Sequence, residues 1–179
     1  MNARILLAST AAILGAVVVG SAEAAPTVLG SFKQWNAYTS AEDGKMCFIA
    51  AQPSDSKYDP KPPSKRDPVF FMVTIIPAKK IVNEASTKIG YPFKEASKVT
   101  VSVDTNQFTM FTDQDTAWIE DPAQENALLD AMRKGTKMVV KGTSRRGTTT
   151  TDSYSLSGVS AALEAIAKEC PGAAAAATQ

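Results

Sequence analysis

The chain has 179 residues, with 19 lysines and arginines against 18 aspartates and glutamates, so its formal net charge at pH 7 is only +1. A charge this small produces no strong global field toward nucleic acid or an anionic membrane surface. The chain contains no histidine, which excludes Ser-His-Asp and Cys-His catalysis and removes the usual nitrogen ligand of zinc, copper or iron.

The first 24 residues have the pattern of a secretory signal peptide. Arg4 gives a positive start, residues 5–19 form an apolar run, and Ala22-Glu23-Ala24 is a small-x-small cleavage motif. A retained membrane anchor is the alternative, but the run is shorter than the roughly 20 residues that a spanning helix needs. We therefore expect cleavage after residue 24 and a periplasmic or secreted protein, with association to the outer membrane as one option and no stable anchor.

Residues 25–171 are predicted to form one domain. The roughly 155 residues that follow the signal have the usual size of a single domain and are enough for a sizeable core. The last residues, 172–179, are mostly small, and we expect them to be a disordered tail.

Cys47 and Cys170 are the two cysteines of the chain. An even count in an exported protein favours a disulfide, which in the chain-entropy model would restrain the unfolded chain by roughly 4 to 5 kcal/mol. Two buried free thiols or a redox pair is the competing interpretation, although the spacing is not that of a C-x-x-C redox motif.

Alternating or continuous apolar residues predict strands along the first half of the mature chain. Residues 28–38, 45–52 and 69–76 are rich in β-branched, aromatic or consecutive apolar residues, and residues 81–89 carry a weaker signal. Between them, the proline-rich segment Pro53 to Pro68 is predicted to be a long loop.

Two hairpins are predicted farther along the chain. Valines alternate with polar residues in 99–104, and Thr105-Asn106 is predicted to turn the chain into 107–112. A short strand at 116–120 follows. Residues 137–143 and 148–156 form the second predicted hairpin, across Arg145-Arg146-Gly147.

Two helices complete the prediction. The first begins with Asp121 as the cap and Pro122 at the first helical position, and it ends at Lys134-Gly135. The second carries an apolar stripe at helical spacing that includes a cysteine; the stripe consists of Val159, Ala162, Leu163, Ile166, Ala167 and Cys170. A disulfide from this stripe to Cys47 would clamp the helix onto the sheet.

One acidic cluster is a candidate for calcium binding or for acid and base catalysis. It comprises Asp113, Asp115, Glu120 and Asp121. The cluster lacks the glycine and the terminal glutamate of an EF-hand loop, so a solvated turn is the favoured interpretation. Gly158-Val159-Ser160 is interpreted as a helix start and not as a nucleophile elbow, because position 162 is alanine. The sequence therefore predicts no catalytic residue, metal site or cofactor.

Two pairs of basic residues, Lys79-Lys80 and Arg145-Arg146, are candidate contact patches. Isolated pairs of like charge are common on soluble domains, so a solvated surface is the favoured interpretation for both pairs.

The chain resembles the invasion-associated locus B proteins of bacteria over essentially the whole mature region. The resemblance starts with F-K-Q-W at 32–35, continues through M-C-F-I-A-A-Q and F-F-M-V-T-I-I-P, and is most specific at Asp152 to Cys170. It implies an exported envelope protein without a known catalytic residue or cofactor, and the two cysteine positions carry over. One member of that family is associated with entry of an intracellular pathogen into red blood cells.

We therefore predict a mainly β domain, an antiparallel β-sandwich or partly closed barrel of about seven to nine strands, with two helices, one of them C-terminal and packed on the sheet. The leading functional hypothesis is a non-catalytic envelope protein that binds an envelope or host protein and not nucleic acid. A small-ligand carrier, with an aromatic pocket between sheet and helix, and a carboxylate-based hydrolase are the alternatives.

Overall fold

The computed structural model describes residues 25–41, 44–61 and 65–171. The predicted signal peptide and the predicted C-terminal tail both lie outside these described residues. None of the helices in the described ranges has the length and apolar character that a membrane crossing requires.

The described ranges form eleven strands, one short 3₁₀ turn at Pro77–Lys79 and two α-helices. In chain order these are β1 (Thr27–Phe32), β2 (Trp35–Ser40), β3 (Met46–Ala51), β4 (Asp55–Asp59), β5 (Phe70–Ile76), β6 (Ile81–Lys88), β7 (Lys98–Val103), β8 (Asn106–Asp113), β9 (Thr116–Trp118), α1 (Pro122–Lys134), β10 (Lys137–Thr143), β11 (Thr149–Ser155) and α2 (Val159–Glu169).

All eleven strands belong to one antiparallel sheet that does not close. The order is β1-β2-β3-β5-β6-β9-β8-β7-β10-β11-β4, so β1 and β4 are its two edges. The predicted fold class, mainly β with an antiparallel sheet and a C-terminal helix packed on it, is confirmed. The sheet has more strands than the expected seven to nine, because two segments of the sequence were assigned incorrectly.

The first of these segments is 28–38, which was predicted as one strand and forms the hairpin β1–β2. The chain reverses at Lys33-Gln34, where Lys33 adopts a positive φ of 56°, and Phe32 pairs with Trp35 across the turn. Tight hairpin turns usually carry Asn-Gly or Asp-Gly. Lys-Gln has no such signature, so the sequence pattern runs through the turn without a break.

The second segment is Pro53 to Pro68, which was predicted to be entirely loop but contains β4. This strand of five residues, D-S-K-Y-D, pairs with β11 from Asp55↔Ser153 to Asp59↔Thr149. Its side chains are mostly exposed, and its composition has low β propensity. The strand exists because β11 offers a row of backbone donors and acceptors to it, which is a tertiary cause.

The other elements lie close to their predicted positions. Val99, Val101 and Val103 are buried on β7, as their alternation predicts, although the turn to β8 is Asp104-Thr105, one residue earlier than expected. Asp121 caps α1 by accepting a hydrogen bond from the Ala123 amide at 2.9 Å. In α2 the predicted stripe is buried at Val159, Ala162, Leu163 and Ile166, and Cys170 just beyond the helix is buried as well. Ala167 is exposed, so the prediction that it faces the core was wrong.

The sheet folds over so that distant strands face each other across the core. The ring of Phe71 on β5 lies 6.1 Å from the ring of Tyr154 on β11, although five strands separate β5 from β11 in the sheet order. The indole Nε1 of the fully buried Trp35 donates a 3.0 Å hydrogen bond to the carbonyl of Ser155. These contacts join the two ends of the open sheet.

A close approach between the β1–β2 hairpin and the start of α2 requires glycine. Gly158 has a φ of +97°, and a Cβ at this position would lie 2.0 Å from the carbonyl oxygen of Phe32. Only glycine adopts this conformation without strain and leaves room for that oxygen. The hairpin can therefore sit directly against the last helix.

Helix α2 is held on the sheet by apolar packing and by a disulfide. It packs against β1, β2, β3 and β5. Cys47 on β3 and Cys170 at the end of α2 are joined by a disulfide, with their Cα atoms 5.9 Å apart and 123 positions apart in sequence. Both cysteines are fully buried. The link therefore ties an early strand to the last helix.

Replacing both cysteines by serine should lower the free energy of unfolding by about 2–5 kcal/mol, because the long loop is no longer closed in the unfolded chain. Urea unfolding of the mature chain, followed by tryptophan fluorescence, measures this change. The reduced wild-type protein is the matched control and should lose the same amount. A loss under about 1 kcal/mol in both samples would contradict the stabilising role assigned to the disulfide.

Candidate binding site

The acidic cluster predicted from the sequence does not form a metal site. Asp121 caps α1, and Asp115 pairs with Lys88 at 3.5 Å and accepts a hydrogen bond from Thr116. Asp113 and Glu120 are exposed. Within the described ranges, no group of three or more cysteine, aspartate or glutamate side chains is arranged to hold a metal ion.

A cavity of about 290 Å³ lies at one end of the sheet, where four segments of the chain meet. Its walls come from Tyr58 on β4, from residues 65–67 before β5, from residues 90–92 after β6, and from residues 144–150 in and after the β10–β11 turn. None of the lining residues comes from α1 or α2. The cavity is therefore not in the place, between sheet and helix, that a small-ligand carrier was expected to use.

Backbone hydrogen bonds join the three loop segments in a row. The Asp67 amide donates to the Gly90 carbonyl at 3.1 Å, and the Arg145 amide donates to the Pro92 carbonyl at 2.9 Å. An isolated β-bridge between Phe93 and Ser144 adds to the second link. The segment 90–92 is thus hydrogen-bonded to both of the other loop segments, which gives the cavity a defined shape.

Gly90 is required for the closest of these approaches. Its φ is +77°, and a Cβ at this position would lie 2.3 Å from the carbonyl oxygen of Asp67. Any other residue would be strained in backbone conformation and would push the segment 65–67 away.

Arg66 lines the cavity and forms a buried ion pair with Asp152. The guanidinium donates two hydrogen bonds to the carboxylate, at 2.7 Å to Oδ1 and 2.6 Å to Oδ2. The Asp152 side chain is fully buried, and the Arg66 side chain is 6% exposed. Ser56 on β4 donates a third hydrogen bond to Asp152, at 2.6 Å. The pair therefore ties β4 and the segment before β5 to β11.

Arg66 has further partners besides Asp152. Its Nε donates to the Ile89 carbonyl, and its guanidinium carbon lies 5.0 Å from the centre of the Tyr91 ring, a cation–π contact. Burial opposes the charge of Arg66, but the hydrogen bonds to Asp152 and its negative charge outweigh that effect, so the pKa of Arg66 is raised above its ordinary value. Arg66 is therefore a fixed cation at the junction of the loops.

Tyr91 forms part of the cavity wall and is held by its hydroxyl. Its Oη lies 2.7 Å from Oγ1 of Thr150 on β11, at hydrogen-bonding distance. Burial raises the pKa of Tyr91 to about 12, with the Thr150 hydrogen bond and the charge of Arg66 acting in the opposite direction. The phenol consequently stays protonated at neutral pH.

Basic side chains outnumber acidic ones in the lining. Lys65, Arg145 and Arg146 line the cavity along with Arg66. Asp67 is the only carboxylate among the lining residues. Of the two basic pairs singled out in the sequence, Arg145-Arg146 therefore belongs to the cavity, whereas Lys79-Lys80 lies at the exposed end of the 3₁₀ turn.

Arg66 and Asp152 were not predicted from the sequence as site residues, although the strand pattern contained a signal for Asp152. Alternate residues of β11 point inward, and Thr150, Asp152 and Tyr154 share the buried face. A carboxylate at an inward position of a strand needs a buried partner. The position of that partner, 86 residues away in sequence, could not be read from the pattern.

Two carboxylates with raised pKa values lie between β6 and α1. Burial raises the pKa of Glu84. Burial also raises the pKa of Glu125, with the nearby Glu84 charge acting in the same direction and a 2.7 Å hydrogen bond from the Ala85 amide opposing it. Both side chains are half-buried. Packing α1 on the sheet therefore partly desolvates two neighbouring carboxylates, which costs electrostatic free energy.

Comparison with known proteins gives one family and one fold. A family model described as "Invasion associated locus B (IalB) protein" matches residues 35–167. A crystal structure of invasion associated protein B from Bartonella henselae superposes with a TM-score of 0.57 at 16% identity, covering 80% of this chain and 98% of that chain. At this identity the superposition shows a shared fold. No curated protein sequence matches the chain.

Replacing Asp152 by alanine should lower the free energy of unfolding by about 3–5 kcal/mol, because Arg66 is left buried without a counter-charge. The exposed pair Arg133–Asp130, with its atoms 3.5 Å apart, is the matched control, and Asp130→Ala should cost less than about 1 kcal/mol. Urea unfolding measures both values.

The double variant Arg66→Met with Asp152→Leu tests the same ion pair by removing both charges at once. It should cost clearly less than the sum of the two single substitutions, because neither charge is left alone. Additive costs would mean that the ion pair does not couple the loop to β11.

Replacing Glu84 by glutamine should stabilise the protein at neutral pH and leave its stability almost unchanged in acid. A carboxyl whose pKa is higher in the folded than in the unfolded state weakens the fold as pH rises through that interval, and glutamine removes this effect. The gain at pH 7 should be under about 1 kcal/mol, since the side chain is partly solvated. Thermal unfolding across the acid range, with the exposed Glu164→Gln as control, checks the sign; an equal effect at all pH values would contradict it.

Proposed function

Because the chain belongs to the invasion associated locus B (IalB) family, we propose that it is an exported, non-catalytic protein of the bacterial cell envelope. It binds another envelope component or a host-cell protein at the loop face, which we define as Tyr58 with segments 65–67, 90–92 and 144–150. The observation that carries this proposal is the buried Arg66–Asp152 pair, which fixes the loops around a cavity.

Pre-organisation is what makes the loop face suitable for recognition. Loops that are already ordered lose less conformational entropy when a partner binds. Here the row of backbone hydrogen bonds and the Arg66 contacts order the segments in advance. Recognition residues on loops that a rigid sheet supports are also a common arrangement in binding proteins.

The ionisable groups at the loop face favour binding over proton transfer. A general acid or base works best when its pKa lies near the operating pH. The raised pKa of Arg66 and the pKa of about 12 for Tyr91 keep both groups protonated at neutral pH. Both side chains therefore act as fixed hydrogen-bond donors and as a fixed charge.

Export is supported by two features of the chain. The first 24 residues have the composition of a signal peptide. The disulfide between Cys47 and Cys170 is of the kind that forms and persists in oxidising compartments such as the periplasm. The Bartonella henselae protein of the same fold is described as invasion associated, so contact with host cells is one setting for the proposed binding.

A small-ligand carrier is the second candidate function, and the cavity itself favours it. Its volume of about 290 Å³ is near the lower end of the size of known ligand pockets. In this alternative a small molecule fills the cavity and no protein partner is needed. The carboxylate hydrolase has no comparable observation in its favour.

The proposal predicts that a partner in the envelope crosslinks to the loop face. The test places the photoreactive amino acid p-benzoylphenylalanine at Tyr58, which is 39% exposed, or at Phe111 on β8, which is 41% exposed and serves as the matched aromatic control. The full chain is produced in its own bacterium, the cells are irradiated, and the envelope fraction is blotted.

We expect a discrete adduct from position 58 and none from position 111. The chain within that adduct should begin at Ala25 by mass spectrometry, as signal cleavage requires. No adduct from position 58, or the same adducts from both positions, would refute the proposed binding at the loop face. A chain that keeps residues 1–24 and stays in the cytoplasm would refute export.

A further inference from the structure

The loop face concentrates positive charge in a protein whose total charge is nearly balanced. The whole chain has a formal net charge of +1. The cavity is lined by four basic side chains. Counting Asp67 at the rim and Asp152 beneath Arg66, the two carboxylates leave an excess of two positive charges. The charge is therefore local to this site.

Two of these basic side chains have no acidic partner among the residues that the structure describes. Arg66 is neutralised by Asp152. Neither Lys65 nor Arg145 forms an ion pair with any carboxylate in the described ranges. Both side chains are exposed at the cavity rim. They come from different loops, whose backbones are both hydrogen-bonded to the segment 90–92.

The interior of the cavity adds hydroxyl and ring surfaces to this charge. Ser144, Thr148 and Thr150 are hydroxyl-bearing residues of the lining, and Tyr91 and Pro92 are its ring-bearing residues. The Thr150 hydroxyl lies 2.7 Å from that of Tyr91, and the Ser144 hydroxyl accepts a hydrogen bond from the Thr148 amide. Basic side chains together with hydroxyl groups bind oxyanions through charge-assisted hydrogen bonds. Apolar rings pack against the part of a ligand to which the oxyanion is attached. The volume of about 290 Å³ admits a body of roughly one ring.

We propose that the cavity binds a small group that carries an oxyanion, either a phosphate monoester or a carboxylate. Lys65 and Arg145 contact the negative charge of this group, and the rest of the group packs against Tyr91. This inference rests on the proposed function, because it names the group that the loop face recognises. The oxyanion belongs either to a free small molecule or to the headgroup of a lipid, and the experiment separates these sources.

The test measures binding of phenyl phosphate and of benzoate to the purified mature protein by calorimetry, with phenol as the uncharged control. A second arm measures sedimentation with phosphatidylcholine vesicles that contain or lack phosphatidylglycerol. The site variant is Lys65→Glu with Arg145→Glu. The matched control is Lys79→Glu with Lys80→Glu, which makes the same charge change at the other exposed basic pair.

We expect saturable binding of at least one of the two anions, no binding of phenol, and a loss of affinity of at least tenfold in the site variant but not in the matched control. If anionic vesicles bind with the same dependence and the soluble anions do not, the oxyanion belongs to a lipid headgroup. Both variants change exposed side chains, and circular dichroism verifies that they fold.

The inference is overturned if neither anion nor anionic vesicles bind, or if binding falls equally in the two variants. This failure is distinct from failure of the proposed function. If neither anions nor anionic vesicles bind but the adduct at position 58 still forms, the protein partner is retained and the oxyanion is rejected. Oxyanion binding without any adduct would instead retain the oxyanion and identify the chain as a small-ligand carrier.

Discussion

The buried ion pair of Arg66 and Asp152 is the interaction on which the arrangement of the loops depends. Desolvating two charges is expensive, and the cost is recovered only when every lone pair and proton finds a partner. Here the carboxylate accepts from Arg66 twice and from Ser56 once, and the guanidinium also reaches Ile89 and Tyr91. A displaced loop would leave one of these charges alone in the protein interior, so the pair specifies one geometry.

The disulfide and the ion pair act on different parts of the same open sheet. Cys47 and Cys170 hold α2 on the strands near the β1 edge, whereas Arg66 and Asp152 hold the proline-rich segment near the β4 edge. Between them, Trp35 bonds across to Ser155 and joins the two ends. An open sheet has two unpaired edges, and these three long-range links keep the folded-over halves together without closing the barrel.

The chain belongs to the IalB family, and its fold and site are consistent with the proposed recognition of a partner by shape and charge. The core fixes the sheet, the sheet positions β4 and β11, and the ion pair between them orders the loops that line the cavity. Tyr91 and Arg66 keep their protons at neutral pH, because burial raises the pKa of Tyr91 and the contacts with Asp152 raise that of Arg66. The proposed oxyanion would complete a charge pattern that the chain itself leaves unbalanced.

The sequence alone determined the elements whose cause is local. The alternating valines of β7, the Asp121 cap with Pro122 and the apolar stripe of α2 are periodic or capping patterns that need no distant residue, and each lies close to where it was predicted. Only the tertiary structure decided the β1–β2 turn, the existence of β4 and the partner of Asp152. A polar edge strand forms because another strand offers hydrogen bonds, and a buried charge is tolerated because a residue far away in sequence arrives beside it. Neither the hydrogen bonds that a distant strand offers nor the arrival of a distant charged partner can be predicted from the local sequence pattern.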